Sequence, residues 1–330
     1  MSIPYYYHNS FSEIPHKGKT GNEYVLDAFL KSKKIVEEIN KEKLGTNLYV
    51  EPKRLPSLSQ SVVVHDPEYI ESLVSGEPIS MAESSGVLFT LENDKAYVHM
   101  AEASYQAMIY AKENGFAYDL AGGNHHAGHF AGGGFCPIHS TMNAIARDFQ
   151  KNGSHKVVII DTDVHFGDGT ASYLQIDPSF ADVKTFDLYG YIIPKAKHAS
   201  IESLNNGGNV IRKITHDTYF KELGKLDSFL KETSPDFVFW FQGADIWNQS
   251  AKSIKEEGLS AAEIYKRDTY ILDTILKYKL PFVMSPGGGY LNYKDSTNKL
   301  LKEDVIEKQW QELMEIYIAP LRYVSKKISK

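Results

Sequence analysis

Four short stretches of this chain gather histidines, aspartates and a tyrosine beside glycines. They are NHHAGHFAGGGFC at 124–136, DTDVHFGDG at 161–169, QGAD at 242–245 and SPGGGY at 285–290. Asp163 and His165 are two positions apart. In extended backbone such residues project to one side, so a carboxylate and an imidazole there can chelate one metal ion. Asp245 offers a third ligand. Two aspartates and one histidine leave a coordination position open, as a catalytic zinc requires. An oxygen-rich set also suits Fe(II), Co(II) or Mn(II). The bland alternative has Asp163 and Asp245 capping helices and His165 satisfied in a core.

The adjacent His125 and His126 suit proton transfer, because imidazole titrates near neutrality. Asp161 and Asp168 flank the metal pair and can supply one carboxylate to each histidine. The alternative is a pair of surface histidines in a flexible loop. His129 has no companion residue and is assigned to the rim or to no role. Tyr290 follows three glycines, which allow backbone positions closed to other residues. Its hydroxyl could donate to a developing oxyanion, or it is an ordinary buried tyrosine beside a turn. Gly132, Gly133 and Gly134 lack a GK[ST] or a strand–GxGxxG–helix frame, so nucleotide binding is rejected. Cys136 has no base beside it in sequence and reads as a packed thiol.

Each stretch follows a strand candidate, and open α/β sheets hold ligands beyond the carboxyl ends of their strands. Short apolar runs predict strands at Val62–His65, Phe116–Leu120, Lys156–Ile160, Asp236–Phe241 and Pro281–Met284. Helical spacing predicts helices at Glu23–Asn40, Ala96–Asn114, Thr141–Asn152, Asp217–Glu232, Ser260–Lys279 and Glu303–Lys327. Ser260 with Glu263 forms a capping box. The alternation predicts βαβ units and a mainly parallel sheet covered on both faces. There is no internal repeat and no Pro/Gly/Ser-rich linker, so 1–330 reads as one domain.

The 330 residues carry 24% charged side chains and a formal net charge of −6. The acidic balance argues against a dedicated nucleic-acid binder, which needs a basic face. Lys326, Lys327 and Lys330 are the only local basic cluster, at a tail. One cysteine excludes an internal disulfide. No apolar run approaches the 18 or so residues that span a bilayer, and MSIPYYYHNSF has neither a basic nor an apolar leader segment. A protein of a reducing compartment, the cytoplasm, with no membrane partner is expected.

In this order, HH, GGGFC, DxDxHxGDG, GAD and GGGY resemble the zinc-dependent histone deacetylase and acetylpolyamine amidohydrolase superfamily, from about Val62 to Tyr290. The His65-Asp66-Pro67-Glu68-Tyr69-Ile70 segment is similar too. The triple glycine before Phe135-Cys136, the stretch from Phe186-Asp187-Leu188-Tyr189 to Pro194, and Gly258-Leu259-Ser260 leading to Arg267-Asp268 look like class IV enzymes and their bacterial relatives.

The resemblance implies an arginase/deacetylase fold, a three-layer α/β/α domain with an eight-stranded, mainly parallel sheet. It implies Asp163, His165 and Asp245 as zinc ligands, with Fe2+ or Co2+ as substitutes. His126 becomes general base and acid, and His125 its electrostatic partner, supported by Asp168 and Asp161 respectively. Tyr290 would polarise the scissile carbonyl, Gly134 would offer its carbonyl to the substrate amide, and Phe135 would wall an acyl-lysine tunnel. A structural potassium is implied near Asp161, Asp163 and His165, with Asp187 and Leu188 contributing. The expected partner is an acylated lysine peptide or a small acylated amine, such as an acetylpolyamine. A silent binding module that keeps the fold is the remaining alternative. The oligomeric state stays open.

Several positions depart from the family pattern. Phe166 stands where a second histidine is common, and Asn124 replaces a proline. The second tunnel aromatic is expected to be absent, with Ile192 or Ile193 near its place. Asp94 is the candidate for a rim acid that grips substrate. The two-manganese ureohydrolases of the same fold need carboxylates where this chain has Gly167 and Trp247, so that chemistry is excluded.

Overall fold

The computed structural model describes residues 2–14, 23–192, 200–251, 254, 257–294, 297 and 299–328. Ile193, Pro194 and Lys330 lie outside them. Eight strands form one sheet in the order β2-β1-β3-β8-β7-β4-β5-β6. They are β1 (Ile3–Tyr6), β2 (Gly45–Asn47), β3 (Phe116–Asp119), β4 (Val157–Asp161), β5 (Val183–Tyr189), β6 (Val210–Lys213), β7 (Phe237–Gln242) and β8 (Phe282–Pro286). Every ladder is parallel. Strands β3, β4, β7 and β8 are buried along their whole length, which is why FVFWFQ and VVIID read as continuous apolar runs rather than alternating ones.

Helices connect and flank the strands: α1 (Glu23–Lys41), α2 (Leu58–Ser61), α3 (Pro67–Ser75), α4 (Ile79–Ala82), α5 (Asn93–Asn114), α6 (Ser140–Asn152), α7 (Asp168–Ile176), α8 (Ile201–Asn206), α9 (His216–Leu223), α10 (Leu226–Thr233), α11 (Ala261–Lys277) and α12 (Glu303–Ile328). This is the three-layer α/β/α architecture with an eight-stranded parallel sheet. The capping box at Ser260 is formed, with Ser260 N donating to Glu263 Oε2 at 2.9 Å and Glu263 N to Ser260 Oγ at 3.3 Å.

Two expected elements differ. Val62–His65 is not a strand. Val62 caps α2, and the next backbone donor, Val63 N, is taken by the Asn143 side chain at 2.8 Å. Asp66 then N-caps α3 with Pro67 in the first turn, a combination that starts a helix and leaves no ladder partner. Asp217–Glu232 is two helices rather than one. Gly224 lies between α9 and α10, and glycine costs about 1 kcal/mol in a helix interior. Four strands had no sequence-based prediction. β1 contains Pro4, β2 is the polar tripeptide Gly-Thr-Asn, β6 is half charged, and Asp187 interrupts β5.

Candidate active site

The strands that precede the four chemical stretches, β3, β8, β7 and β4, are consecutive in the sheet. Their carboxyl ends therefore meet at one place. Buried apolar strands end there and polar residues begin, so the sheet itself delivers the reactive side chains to a shared cavity. That cavity holds about 80 Å3, and His125, His126, Gly134, Phe135, Asp163 and Tyr290 are among its walls.

Asp163 and His165 follow β4, and Asp245 follows β7. Their ligand atoms lie within 4.8 Å of one another. His165 Nδ1 is 3.0 Å from Asp163 Oδ1 and 2.9 Å from Asp245 Oδ2. Backbone donors orient both carboxylates: Val164 N reaches Asp245 Oδ1 at 2.9 Å, and Gly288 N reaches Asp163 Oδ2 at 2.5 Å. A Cβ at Gly288 would fall 2.3 Å from Asp245 Oδ2, so only glycine lets this loop approach the carboxylates. Burial lowers the affinity of His165 for a proton, but the two carboxylates outweigh it and raise its pKa to about 10. Two buried carboxylates and an imidazole converging on one point fit a divalent ion with a free coordination position.

His125 and His126 lie in the loop after β3, with ring centroids 4.0 Å apart. His125 Nδ1 is 2.6 Å from Asp161 Oδ2, and His126 Nδ1 is 2.6 Å from Asp168 Oδ1. Burial opposes charge on both rings. For His125, Asp161 and Asp163 overcome burial and raise the pKa to about 10. For His126, burial and the neighbouring His125 prevail over Asp168, and the pKa is lowered. Two left-handed residues bracket this assembly. Asn124 (φ 57°) precedes the pair, its side-chain amide donating to Gly122 O at 2.9 Å and Ser140 Oγ at 3.2 Å. Phe135 (φ 66°) follows the glycines, its N–H held by Ser85 O at 2.8 Å. Non-glycine residues in this region are uncommon and cluster at functional sites.

Gly134 has φ 48°, and a Cβ there would lie 2.1 Å from His126 Cδ2. Its carbonyl faces the Cys136 thiol at 3.4 Å. Cys136 is buried, and burial pushes its pKa to about 12, so it is no nucleophile at neutral pH. Tyr290 is buried with its ring 6.3 Å from Phe135, and its backbone is clamped by Ser250.

Asp187 follows the same logic at the neighbouring strand. It pairs in register with Asp161. One carboxylate oxygen accepts from Gly167 N at 3.0 Å, while Oδ1 is buried without a hydrogen-bond partner. Burial and Asp161 raise its pKa well above the usual carboxylate range. A buried, unpartnered carboxylate oxygen beside a second carboxylate fits a monovalent cation.

Other expectations place differently. Tyr191, 46% exposed, stands edge-on to His165 with centroids 5.7 Å apart. Ile192, expected near the place of the second tunnel aromatic, packs against the small Phe166 cluster, and Ile193 lies outside the described residues. Asp94 sits in the first turn of α5 and His129 beside Tyr173; neither lines the cavity. Phe166 is buried against Tyr189. Trp247 is buried and its indole offers no carboxylate to a second metal.

Residues unassigned from sequence complete the site. Asp27 and Lys31 of α1 are buried on the stripe that continues through Ile35 and Ile39. The Lys31 ammonium donates to Gly287 O, and Asp27 accepts from Leu291 N at 2.9 Å and from the Tyr293 hydroxyl. Both hold the glycine loop before and after Tyr290. Two charges spaced i, i+4 within an apolar stripe were the available signal. Arg267 of α11 is fully buried and paired with Asp268 at 2.6 Å. It donates to Gly243 O at 2.7 Å and Thr162 O at 3.3 Å, fixing the two loops that carry Asp245 and Asp163.

The family described as the histone deacetylase domain matches residues 29–303. The chain belongs to that family of deacetylase hydrolases. Among individual proteins, it is 25% identical to histone deacetylase 2 of Arabidopsis thaliana over 303 residues, covering 88% of this chain and 73% of that one. It is 26% identical to the acetoin utilization protein AcuC of Staphylococcus aureus over 271 residues, 76% of this chain and 69% of that one. An uncharacterized protein of Picosynechococcus is 28% identical over 246 residues, 72% and 77% of the two chains.

Proposed function

We propose that this chain is a zinc-dependent amidohydrolase that removes an acetyl or related acyl group from the lysine side-chain amine of proteins or peptides. The observation that carries the proposal is the pair of His–Asp dyads, each closed at 2.6 Å, set against the Asp163–His165–Asp245 cluster. Asp163, His165 and Asp245 hold the zinc, with Fe2+ or Co2+ able to replace it. Bound there, zinc would polarise the acyl carbonyl and lower the pKa of a water to about 7.

Asp168 occupies Nδ1 of His126, so Nε2 is the nitrogen that exchanges protons. It takes one from the attacking water and passes it to the departing amine. Water and amide become carboxylate and amine, and His126 ends as it began. Gly134 keeps the Cδ2–Nε2 edge of that ring clear. His125, charged through Asp161, stabilises negative charge developing beside it. Tyr290 donates its hydroxyl to the oxyanion. Gly134 O accepts from the substrate amide N–H, and Phe135 and Tyr191 border the acyl chain. Asp161, Asp163, His165, Asp187 and Leu188 would hold a potassium ion, which would steady the loop after β4.

We read residues 1–330 as one catalytic domain. Among the described residues no helix is long and apolar enough to cross a membrane. The lone buried thiol and the net charge of −6 support a cytoplasmic enzyme without nucleic-acid or membrane partners.

The test is hydrolysis of a panel of acetyl-, propionyl-, lactoyl- and long-chain-acyl-lysine peptides beside acetylated polyamines. Fastest turnover on a peptide supports the proposal. Preference for a polyamine moves the substrate to small amines. No turnover by folded, zinc-loaded protein on any member overturns the assignment.

A further inference from the structure

A second cluster of metal-ligating side chains lies outside the candidate active site, at the edge of the sheet. His8 follows β1, Glu51 follows β2, and His99 projects from α5. One ring nitrogen of each histidine and a Glu51 carboxylate oxygen lie within 4.8 Å of one another. The two imidazoles stack at 3.7 Å between centroids with their planes only 18° apart.

The hydrogen bonds around the rings give the arrangement its chemistry. His99 Nδ1 is 2.7 Å from the Tyr49 hydroxyl. His8 Nδ1 is 2.8 Å from Ser10 Oγ, with Ser10 N more distant at 3.3 Å. His8 Nδ1 accepts from Ser10 N, whereas His99 can donate from Nδ1 to the Tyr49 hydroxyl oxygen, which leaves the His99 Nε2 lone pair free. Metal-bound histidines are oriented by this kind of bond to the second nitrogen. His8 Nε2 then faces Glu51 Oε2 at 3.9 Å, too far for a hydrogen bond. A divalent ion here would take the His99 and Glu51 lone pairs and displace the His8 Nε2 proton, with the Ser10 hydroxyl able to accept a proton moved to His8 Nδ1.

We propose that His8, Glu51 and His99 form a second, independent metal site for a divalent ion of the zinc type. Two histidines and a glutamate are a recognised zinc donor set, and the fourth position is left to water. Ligands about 2.1 Å from a tetrahedral ion lie roughly 3.4 Å apart. Glu51 therefore closes by roughly half an ångström, which its 65% exposed side chain allows. His99 is buried, and the Tyr49 hydroxyl at its Nδ1 fixes the orientation of the ring. The ion ties the end of β1 and the chain after β2 to α5. Phe11, whose ring is 6.3 Å from that of His8, and Met100, next to His99, line the candidate active-site cavity, so the site braces part of its wall.

The experiment is a zinc titration of the chelator-dialysed full chain by calorimetry and elemental analysis. Wild type is expected to bind two equivalents and Asp245→Asn one. His8→Ala should weaken one equivalent at least a hundredfold and Glu51→Gln at least tenfold, both at sites that leave the core packed. Zinc should raise the melting temperature of Asp245→Asn and not of Asp245→Asn combined with His8→Ala. A single equivalent in wild type, or a second one indifferent to His8→Ala and Glu51→Gln, overturns the proposal. Because Asp245→Asn removes only the first centre, failure of the catalytic assignment and failure of this site give different stoichiometries.

Discussion

His125 and His126 are neighbours in the chain, and each has an aspartate oxygen 2.6 Å from its Nδ1. By the partner alone the two dyads are equivalent. Their surroundings differ. Asp161 is almost fully buried, and His125 Nε2 also lies 3.8 Å from Asp163 Oδ1. His126 has Asp168, whose side chain is slightly exposed, and the rings of His125 and His165 beside it. One histidine is thus surrounded by negative charge and the other by imidazoles. The lesson is that a bonded carboxylate alone does not decide protonation: Asp161 together with Asp163 overcomes burial at His125, whereas burial and the His125 ring prevail over Asp168 at His126. Pairs whose environments push their protonation apart mark the acid and base of a site.

The largest effect that can break this comparison is removal of the proton carrier. His126→Ala should lower kcat by about a thousandfold, within the range for general acid–base groups, with zinc binding retained. His125→Ala should cost less, because only electrostatic support is lost. Steady-state kinetics that rank the two in the opposite order would exchange their roles. Next, Tyr290→Phe should reduce kcat by about a hundredfold with little change in zinc stoichiometry, as removal of one oxyanion donor does. Near-full activity would remove Tyr290 from the chemistry.

The aspartates separate more finely. Asp168→Asn should lower kcat by roughly tenfold and leave zinc affinity alone, since only His126 loses its orienting partner. Asp161→Asn should also weaken zinc, because Asp161 Oδ1 accepts from Asp163 N at 3.0 Å and orients that ligand loop. Zinc titrations that respond equally to both variants would erase the distinction.

A third histidine, His65, sharpens the comparison from outside the site. It has no carboxylate partner. Its Nδ1–H donates to Gly128 O at 2.8 Å, and its Nε2 accepts from His139 N at 3.0 Å. Burial lowers its pKa to about 4, against about 6.5 in the unfolded chain. The unfolded state binds the proton more readily between these values. Stability is therefore full above pH 6.5 and lost as pH falls towards 4, by about 3 kcal/mol from this group. Denaturant unfolding at pH 7 and pH 4.5 should show the loss, and His65→Gln should shrink it. A flat profile across that window would contradict the neutral, buried assignment.

What the sequence disclosed follows from these environments. The four central strands were legible because strands buried on both faces read as apolar runs, and their glycine-rich ends carried the chemistry with them. β1, β2, β5 and β6 escaped because Pro4, the polar Gly45–Asn47, Asp187 and the charged end of β6 break the apolar signal. Asp161, Asp163, His165, Asp168 and Asp245 were legible as a set because four of them share one loop. Lys31 and Asp27 were not, since they reach the site from a distant helix whose approach only the fold reveals. Asp187 was reached through family resemblance; nothing in its own neighbourhood announces that Oδ1 is buried without a partner.

The central claim is that the Asp163–His165–Asp245 centre and its two dyads hydrolyse an acyl-lysine amide. The most direct measurement is the rate of acetyl-lysyl peptide hydrolysis by metal-stripped and zinc-restored protein, wild type beside Asp245→Asn. The account predicts that zinc restores turnover in wild type and not in Asp245→Asn. Turnover that persists without metal, or that survives Asp245→Asn, would contradict it.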